Sequence, residues 1–222
     1  MKNETLLNKL IKLSAWPDEN LERRELLHHL IEEVKTELRM ETAKSSGKGN
    51  IQKLVESIFK NAKGSSYGER LQFAHTCEDG NQYVTDGYRI LKFSNPIPLP
   101  EATKDLKMNL DRTYKVCCAP TIESPQSLEM PDIVGLKAFI KLKKAKKEKP
   151  VFDFGFGLPM VDACFLLSIM EAFPSAKVKC STKFEMVTGK NFSVLLWENE
   201  NGDAAALLPL NPKNEKRERT AI

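Results

Sequence analysis

Residues 70–93 read RLQFAHTCEDGNQYVTDGYRILKF, and this stretch carries the signals that decide the fold. Apolar and polar residues alternate over residues 70–76, which is the period of a half-buried strand. His75 falls on the apolar side of this alternation and is expected to be a satisfied core residue. Glu78-Asp79-Gly80-Asn81 then supplies an Asp-Gly turn, the strongest short hairpin signal. The sequence therefore predicts an antiparallel hairpin whose return strand runs from Gln82 to Phe93.

A helix precedes this hairpin, and the same layout occurs a second time. Asn50 can cap the first helix and Gly64 can end it. Its buried stripe is Ile51, Leu54, Val55, Ile58, Phe59 and Ala62. Residues 160–210 repeat the order of helix, strand, acidic Asn/Gly turn and return strand, with Asp162 as the helix cap. Each half alone would expose one sheet face, so pairing the halves predicts an α+β domain whose sheet is covered by two helices.

The rest of the chain predicts three accessory regions around this domain of residues 50–210. Residues 1–46 have Leu and Ile at helical spacing and predict a helical hairpin. Residues 101–150 read as an insertion, with a strand at Thr113 to Ala119 and a helix starting at Pro131-Asp132. Residues 211–222 read as a charged tail.

Two further patterns lie at the ends of the main repeat. Residues 43–50, AKSSGKGN, are small and polar and indicate a flexible joint after the helical hairpin. In the second half, strands are predicted at Lys177 to Ser181, Phe192 to Glu198 and Ala204 to Leu210.

Composition excludes several classes of protein. The 222 residues are 41% hydrophobic and 29% charged with a net charge of +4, which is typical of a globular chain rather than a disordered or fibrous one. No apolar run is long enough for a membrane span, so we expect a cytoplasmic protein without a membrane partner. The five cysteines lack C-x-x-C spacing and only three histidines are present, so we expect no metal site and no cofactor.

Several motifs resemble a known family. Thr85-Asp86-Gly87-Tyr88-Arg89 resembles the Thr-Asp-x-x-Arg strand of the bacterial sliding clamp, the beta subunit of DNA polymerase III. Asp162-Ala163-Cys164-Phe165-Leu166-Leu167 and Leu207-Leu208-Pro209-Leu210 resemble the closing segment of the same family. The resemblance covers about residues 50–95 and 158–210. It implies a clamp-like domain whose motif residues are Thr85, Asp86, Gly87, Arg89, Leu166, Leu167 and Pro209.

The chain also departs from this family. It holds one such domain, Asn211 stands where the family usually has Arg, and the second helix carries Asp162 and Glu171 without a basic residue. Those two acids would repel phosphate. The resemblance therefore implies a clamp-like fold more directly than a DNA-encircling function.

Lysines supply the candidate nucleic-acid contacts. The proposed set is Lys53, Lys60 and Lys63 on the first helix and Lys141, Lys143, Lys144, Lys146 and Lys147 in the lysine-rich segment. That segment, Lys137 to Lys149, either holds phosphates or forms a solvated helix end, and the sequence favours neither. For Thr85 to Arg89 a structural role is favoured over a binding role.

These patterns predict a non-catalytic DNA-metabolism accessory protein that binds DNA or a replication or mobile-element protein partner. No nucleophile signature such as G-x-S-x-G is present, and the Gly155 and Gly157 pair lacks the third glycine of a dinucleotide site. The alternative is a self-assembling interaction module that forms a homo-oligomer through the N-terminal helices without binding DNA.

Overall fold

The computed structural model describes residues 6–8, 10, 11, 21–45, 49–63, 68–118, 126–155, 158–185 and 190–210. The chain forms two compact units, Met1–Lys53 and Leu54–Ile222. The predicted tail at 211–222 lies outside the described residues. The division into a helical hairpin, a main domain with an insertion and a tail stays a prediction.

The N-terminal unit is helical where it is described. Helix α1 spans Leu21–Ser45, and residues 6–8, 10 and 11 are also helical. Among the side chains of α1 that the structure describes, Ile31 and Val34 are buried. The joint expected at 43–50 is shorter than predicted, because α1 continues to Ser45 and the next helix begins at Gly49, with residues 46–48 outside the described range.

The second unit combines helices with antiparallel strands, which confirms the predicted α+β class. Helices α2 to α6 span Gly49–Ala62, Gly68–Leu71, Leu110–Cys118, Ile133–Ala145 and Ala163–Ala172. Strands β1 to β9 span His75–Thr76, Gln82–Thr85, Arg89–Phe93, Gln126–Ser127, Val151–Asp153, Met160–Asp162, Lys177–Glu185, Lys190–Glu198 and Ala204–Leu207. The unit boundary at residues 53 and 54 falls inside α2.

Seven strands form one sheet in the order β1-β2-β3-β9-β8-β7-β4, and all neighbours are antiparallel. Strands β5 and β6 form a separate hairpin. The sheet contains two sets of three consecutive strands, β1 to β3 and β7 to β9, and each set follows a helix. Their last strands, β3 and β9, pair at the centre with Arg89 opposite Leu207. The two halves of the chain thus share one hydrogen-bonded sheet.

Each face of the sheet is covered by different helices. Helices α2 and α6 lie on one face, since the Arg89 side chain reaches a serine of each helix. Buried residues on that face of the strands are Leu91, Phe93, Leu195, Trp197 and Ala205. Helix α4 lies on the other face, where Leu110 packs with Tyr83 and Ile90. The predicted covering of a sheet by two helices fits the first face.

Three strand predictions in the first half and the insertion are wrong. Residues 113–118 belong to α4, because Leu110 and Tyr114, one turn apart, both pack on the sheet. Residues 68–71 form the short helix α3, so only His75–Thr76 remains of the strand predicted at 70–76. The single strand predicted at 82–93 is two strands, β2 and β3.

In the second half the predicted helix and three strands are present with different ends, whereas strand β6 was not predicted. The cap predicted at Asp162 and, in the insertion, the helix start predicted at Pro131-Asp132 are confirmed, because each Asp carboxylate accepts a backbone N–H of the helix that follows. Strands β7 and β8 are longer than predicted. Strand β9 ends at Leu207 instead of Leu210, because Pro209 has no N–H to donate to a sheet.

His75 is the buried polar residue of strand β1, which confirms its predicted core role. Its side chain is 0% exposed. The Met108 N–H donates to Nδ1 at 3.1 Å, so the ring is neutral there and its Nε2 proton faces the Arg70 carbonyl at 3.0 Å. Burial lowers the pKa of His75 below the value of an exposed histidine.

This geometry predicts a pH-dependent stability. The unfolded chain gains a proton at His75 below about pH 6.5, whereas the folded chain resists it, so the stability present above that pH falls as the pH drops. We expect the urea midpoint of the wild-type chain to fall between about pH 7.5 and about pH 5.5. His75→Asn should show a smaller decrease over the same range. The exposed His28→Asn serves as the control, and equal pH slopes in both variants would contradict the assignment.

Candidate nucleic-acid interface

The motif from Thr85 to Arg89 forms the turn between β2 and β3. Gly87 has φ +86°, which is a conformation that favours glycine. The Thr85 hydroxyl donates to the Arg89 carbonyl at 2.7 Å and accepts the Gly87 N–H at 3.0 Å. The Asp86 carboxylate accepts the backbone N–H groups of Tyr88 and Arg89 at 3.0 and 2.8 Å. The side chains of the motif therefore satisfy backbone groups of their own turn, which agrees with the structural role that the sequence favoured.

Asp86 and Arg89 also form a buried ion pair. Arg89 Nη2 and Nε donate to Asp86 Oδ2 at 2.6 and 3.0 Å, and Asn61 Nδ2 donates to the same oxygen at 3.0 Å. The side chains of Asp86 and Arg89 are 0% and 2% exposed. A pair so far removed from water depends on hydrogen bonds that satisfy its remaining polar atoms.

Arg89 makes those further bonds to both covering helices. Its Nη1 donates to Ser57 Oγ of α2 at 3.0 Å and to Ser168 Oγ of α6 at 3.3 Å. Each serine donates its own proton to the carbonyl three residues earlier, which leaves its oxygen free to accept from Arg89. The guanidinium carbon lies 4.0 Å from the centre of the Phe165 ring. Arg89 thus joins the sheet to one helix from each half.

The segment Leu207-Leu208-Pro209-Leu210 lies at the same junction. After β9 ends, Leu208 N donates to the Tyr88 carbonyl at 2.9 Å, and Leu210 N donates to the Met160 carbonyl at 2.8 Å. Pro209 lies half-buried between these two bonds. The segment therefore fastens the end of the second half to the turn of the first.

The remaining motif residues belong to the interior of α6. Leu166 is fully buried and Leu167 is half-buried. The structure thus brings the seven motif residues into one region where the halves meet, and it gives them packing and hydrogen-bonding roles. Sequence reasoning missed Ser57 and Ser168, because a lone helical serine carries no pattern that reveals a distant arginine.

The lysines of the first repeat lie on the solvent side of α2 and just after it. Lys53, Lys60 and Lys63 are exposed. Lys53 and Lys60 are seven residues apart and so share one helical face. Buried residues on the other side of α2 are Leu54, Val55, Ile58, Phe59 and Ala62.

In the lysine-rich segment four of the five candidate lysines are exposed. These are Lys141, Lys144, Lys146 and Lys147. Lys143 differs, because its ammonium group bonds the Glu148 carboxylate at 2.6 Å and lies 5.8 Å from the Phe139 ring centre. Lys143 is therefore engaged within the protein and is a weaker candidate for an external anion.

The end of α5 holds its lysines on an ordered cap. Glu148 N donates to the Lys143 carbonyl at 2.9 Å, and Lys147 N donates to the Lys144 carbonyl at 3.0 Å. This bond pattern is a Schellman motif, with Lys147 at the left-handed position and φ 56°. The segment is thus a defined helix end that displays Lys146 and Lys147 at fixed positions.

Both acids of α6 that would repel phosphate are engaged within the protein. Asp162 Oδ1 accepts the N–H groups of Cys164 and Phe165 at 2.8 and 3.3 Å as the helix cap. The Glu171 carboxylate pairs with Lys137 of α5 at 2.7 Å. The pair joins two helices that pack against each other, a contact that the sequence did not predict.

The Cys164 thiol lies half-buried near the Asp162 cap. Burial raises the pKa of the half-buried Cys164 thiol, and nearby Asp162 raises it further, so this thiol stays protonated near neutral pH and is a poor nucleophile. Among the described residues, no three His, Cys, Asp or Glu side chains group together as metal ligands would. None of the helices in the described ranges has the length and apolar character to cross a bilayer.

The buried pair predicts a large stability effect. Arg89→Leu leaves Asp86 as an uncompensated buried charge, so we expect the free energy of unfolding to fall by about 3–5 kcal/mol. Ser168→Ala removes one hydrogen bond and should cost about 1 kcal/mol. Urea denaturation measures both, with the exposed Arg112→Leu as the control. An Arg89→Leu chain as stable as Arg112→Leu would show that the halves are joined by other contacts.

Comparison with protein-family models, with curated proteins and with solved structures finds no match to this chain.

Proposed function

We propose that this protein is a non-catalytic accessory factor of DNA metabolism whose clamp-like domain binds the phosphate backbone of DNA through lysines of α2 and α5. The observation that carries the proposal is the exposure of these lysines on helices, while the two acids of α6 are bonded to groups of the same chain. Lys53, Lys60 and Lys63 supply one set of charges, and Lys146 and Lys147 belong to the other.

The chemistry of these groups suits phosphate and carries little sequence information. A lysine ammonium group is a compact charge on a flexible stem, so it contacts a phosphate without fixing a base. The net charge of +4 is too small for a surface that is basic throughout. Binding of this kind is local, gains free energy by releasing counterions and weakens as salt rises.

The arrangement of the two halves supports the clamp-like part of the proposal. Each half is a helix followed by three antiparallel strands, and the halves meet at β3 and β9. Residues of the family motif lie at this junction, with Arg89 bonded to one helix from each half. A duplicated domain with helices on one sheet face is what the resemblance to sliding clamps implies.

Salt-dependent binding to a DNA duplex of about 20 base pairs tests the proposal. Lys60→Ala/Lys63→Ala and Lys146→Ala/Lys147→Ala should each weaken binding about tenfold at low salt. For every phosphate that a variant no longer neutralises, the slope of log affinity against log salt should also become shallower by about 1. Fluorescence anisotropy with labelled DNA measures both quantities.

The matched control is Lys177→Ala/Lys179→Ala, which removes two exposed lysines from strand β7. It changes the net charge by the same amount but leaves α2 and α5 intact. Lack of binding by the wild-type chain at low salt, or an equally large weakening in the control, would reject the helix lysines as a DNA site.

A second candidate function is self-assembly through the N-terminal unit. Leu26 and Leu30 of α1 are 62% and 38% exposed, and they are one helical turn apart. Adjacent exposed leucines on one helix are typical of a helix that packs against a partner.

This candidate predicts an association that depends on both leucines. The full-length chain should exceed its monomer mass of 25.1 kDa in light scattering after gel filtration. Leu26→Gln/Leu30→Gln should return it to the monomer mass, because glutamine side chains cannot replace the apolar packing of leucines. Val116→Gln, at a residue 63% exposed on α4, is the control and should leave the mass unchanged. A monomeric wild-type chain would exclude this function.

A further inference from the structure

Helix α5 presents an apolar row to solvent on the side opposite its buried residues. Val134 is 74% exposed and Leu142 is 55% exposed. The exposed Ala138 lies between them, so the three residues follow one another at single-turn spacing. Leu136 and Ile140 occupy the buried side of the same helix. α5 is therefore apolar on two sides, and only one of them is covered within the described chain.

A lysine borders this apolar row. Lys141 is exposed and lies beside Val134 and Leu142, whereas the exposed Lys144 lies toward α6, where its side chain interacts with the Cys164 thiol. Exposed Val and Leu side chains contribute nothing to phosphate binding, and their hydration is unfavourable. Apolar residues flanked by a lysine instead suit an amphipathic helix that carries leucines and carboxylates.

Helix α1 has such a face. Its exposed Leu26 and Leu30 lie on the same side as Glu33 and Glu37, and both carboxylates belong to exposed residues. The two leucines are four residues apart, as are the two glutamates. The spacing matches α5, where the apolar residues also recur every four residues.

We propose that the acidic and apolar face of α1 in one copy of this chain packs on the basic and apolar face of α5 in a second copy. The proposal rests on the self-assembly candidate and adds the surface that receives α1. Leucines would cover Val134 and Leu142, while Glu33 and Glu37 would lie beside Lys141. Each chain carries one face of each kind, so the contact joins two different surfaces of the two copies.

Charge reversal tests the pairing in the full-length protein. Glu33→Lys/Glu37→Lys makes both faces of a chain basic, and Lys141→Glu makes both faces acidic. We expect each variant alone to associate at least about tenfold more weakly than the wild type. Mixing the two variants brings opposite charges together between α1 of each variant and α5 of the other and should restore association. Analytical ultracentrifugation at low and high salt measures the dissociation constants.

A second pair of variants probes the apolar contact. Val134→Gln/Leu142→Gln should weaken association by a similar factor without changing any charge, whereas Lys177→Glu/Lys179→Glu, on β7, should leave it unchanged. The proposal is overturned by a wild-type chain that stays monomeric, or by α5 variants that associate as well as the wild type. If the α5 variants associate normally while Leu26→Gln/Leu30→Gln does not, self-assembly survives and only the α5 surface is wrong. A mixture of the two charge variants that does not regain association would likewise reject the pairing of α1 with α5.

Discussion

The fold depends on a charged side chain in the middle of an apolar junction. Removing an arginine and an aspartate from water costs several kcal/mol per ion, about what their mutual attraction returns. Arg89 offsets this cost because its remaining donors reach Ser57 and Ser168, and its flat face lies on Phe165. Those partners come from both halves, so the pair is satisfied only when the halves are assembled. The ion pair therefore specifies one arrangement of helices on the sheet rather than adding much to stability.

The sequence predicted those parts of the fold that depend on local chemistry. The helix caps at Asp132 and Asp162 use a side chain and an N–H two or three residues away, so their pattern is visible in the chain. The division of residues 82–93 into two strands was missed, although Gly87 carries the positive φ of the turn. Apolar and polar residues keep alternating across that turn, and this alternation alone cannot distinguish one strand from two. Helix α4 was missed because its β-branched and aromatic residues favour a strand, whereas packing on the sheet selects a helix.

The sequence predicted which types of residue form the candidate site, but it did not predict which of their ammonium groups are available to a ligand. A run of lysines identifies positive charge, but pairing with distant or nearby acids decides which ammonium groups can bind a ligand. Lys143 is engaged by Glu148, five residues later and across the helix end, and Lys137 is engaged by Glu171 of another helix. The first depends on the Schellman turn and the second on the packing of α5 against α6. Neither geometry follows from counting charges. The sequence therefore overestimated how many lysines are available to a ligand, and it also overestimated the repulsion of phosphate by Glu171.

The two proposed uses of α5 are linked, because one ammonium group cannot neutralise a phosphate and a glutamate fully at the same time. Lys141 borders the apolar row, where contact with leucines lowers the local dielectric constant and strengthens an ion pair with a carboxylate. Lys146 and Lys147 follow the helix end, away from Val134, where the phosphates of a DNA duplex are the better partners. Self-association would cover Lys141 and leave Lys146 and Lys147, with Lys60 and Lys63, for DNA. A copy-to-copy contact at α5 therefore narrows the DNA-binding surface without removing it.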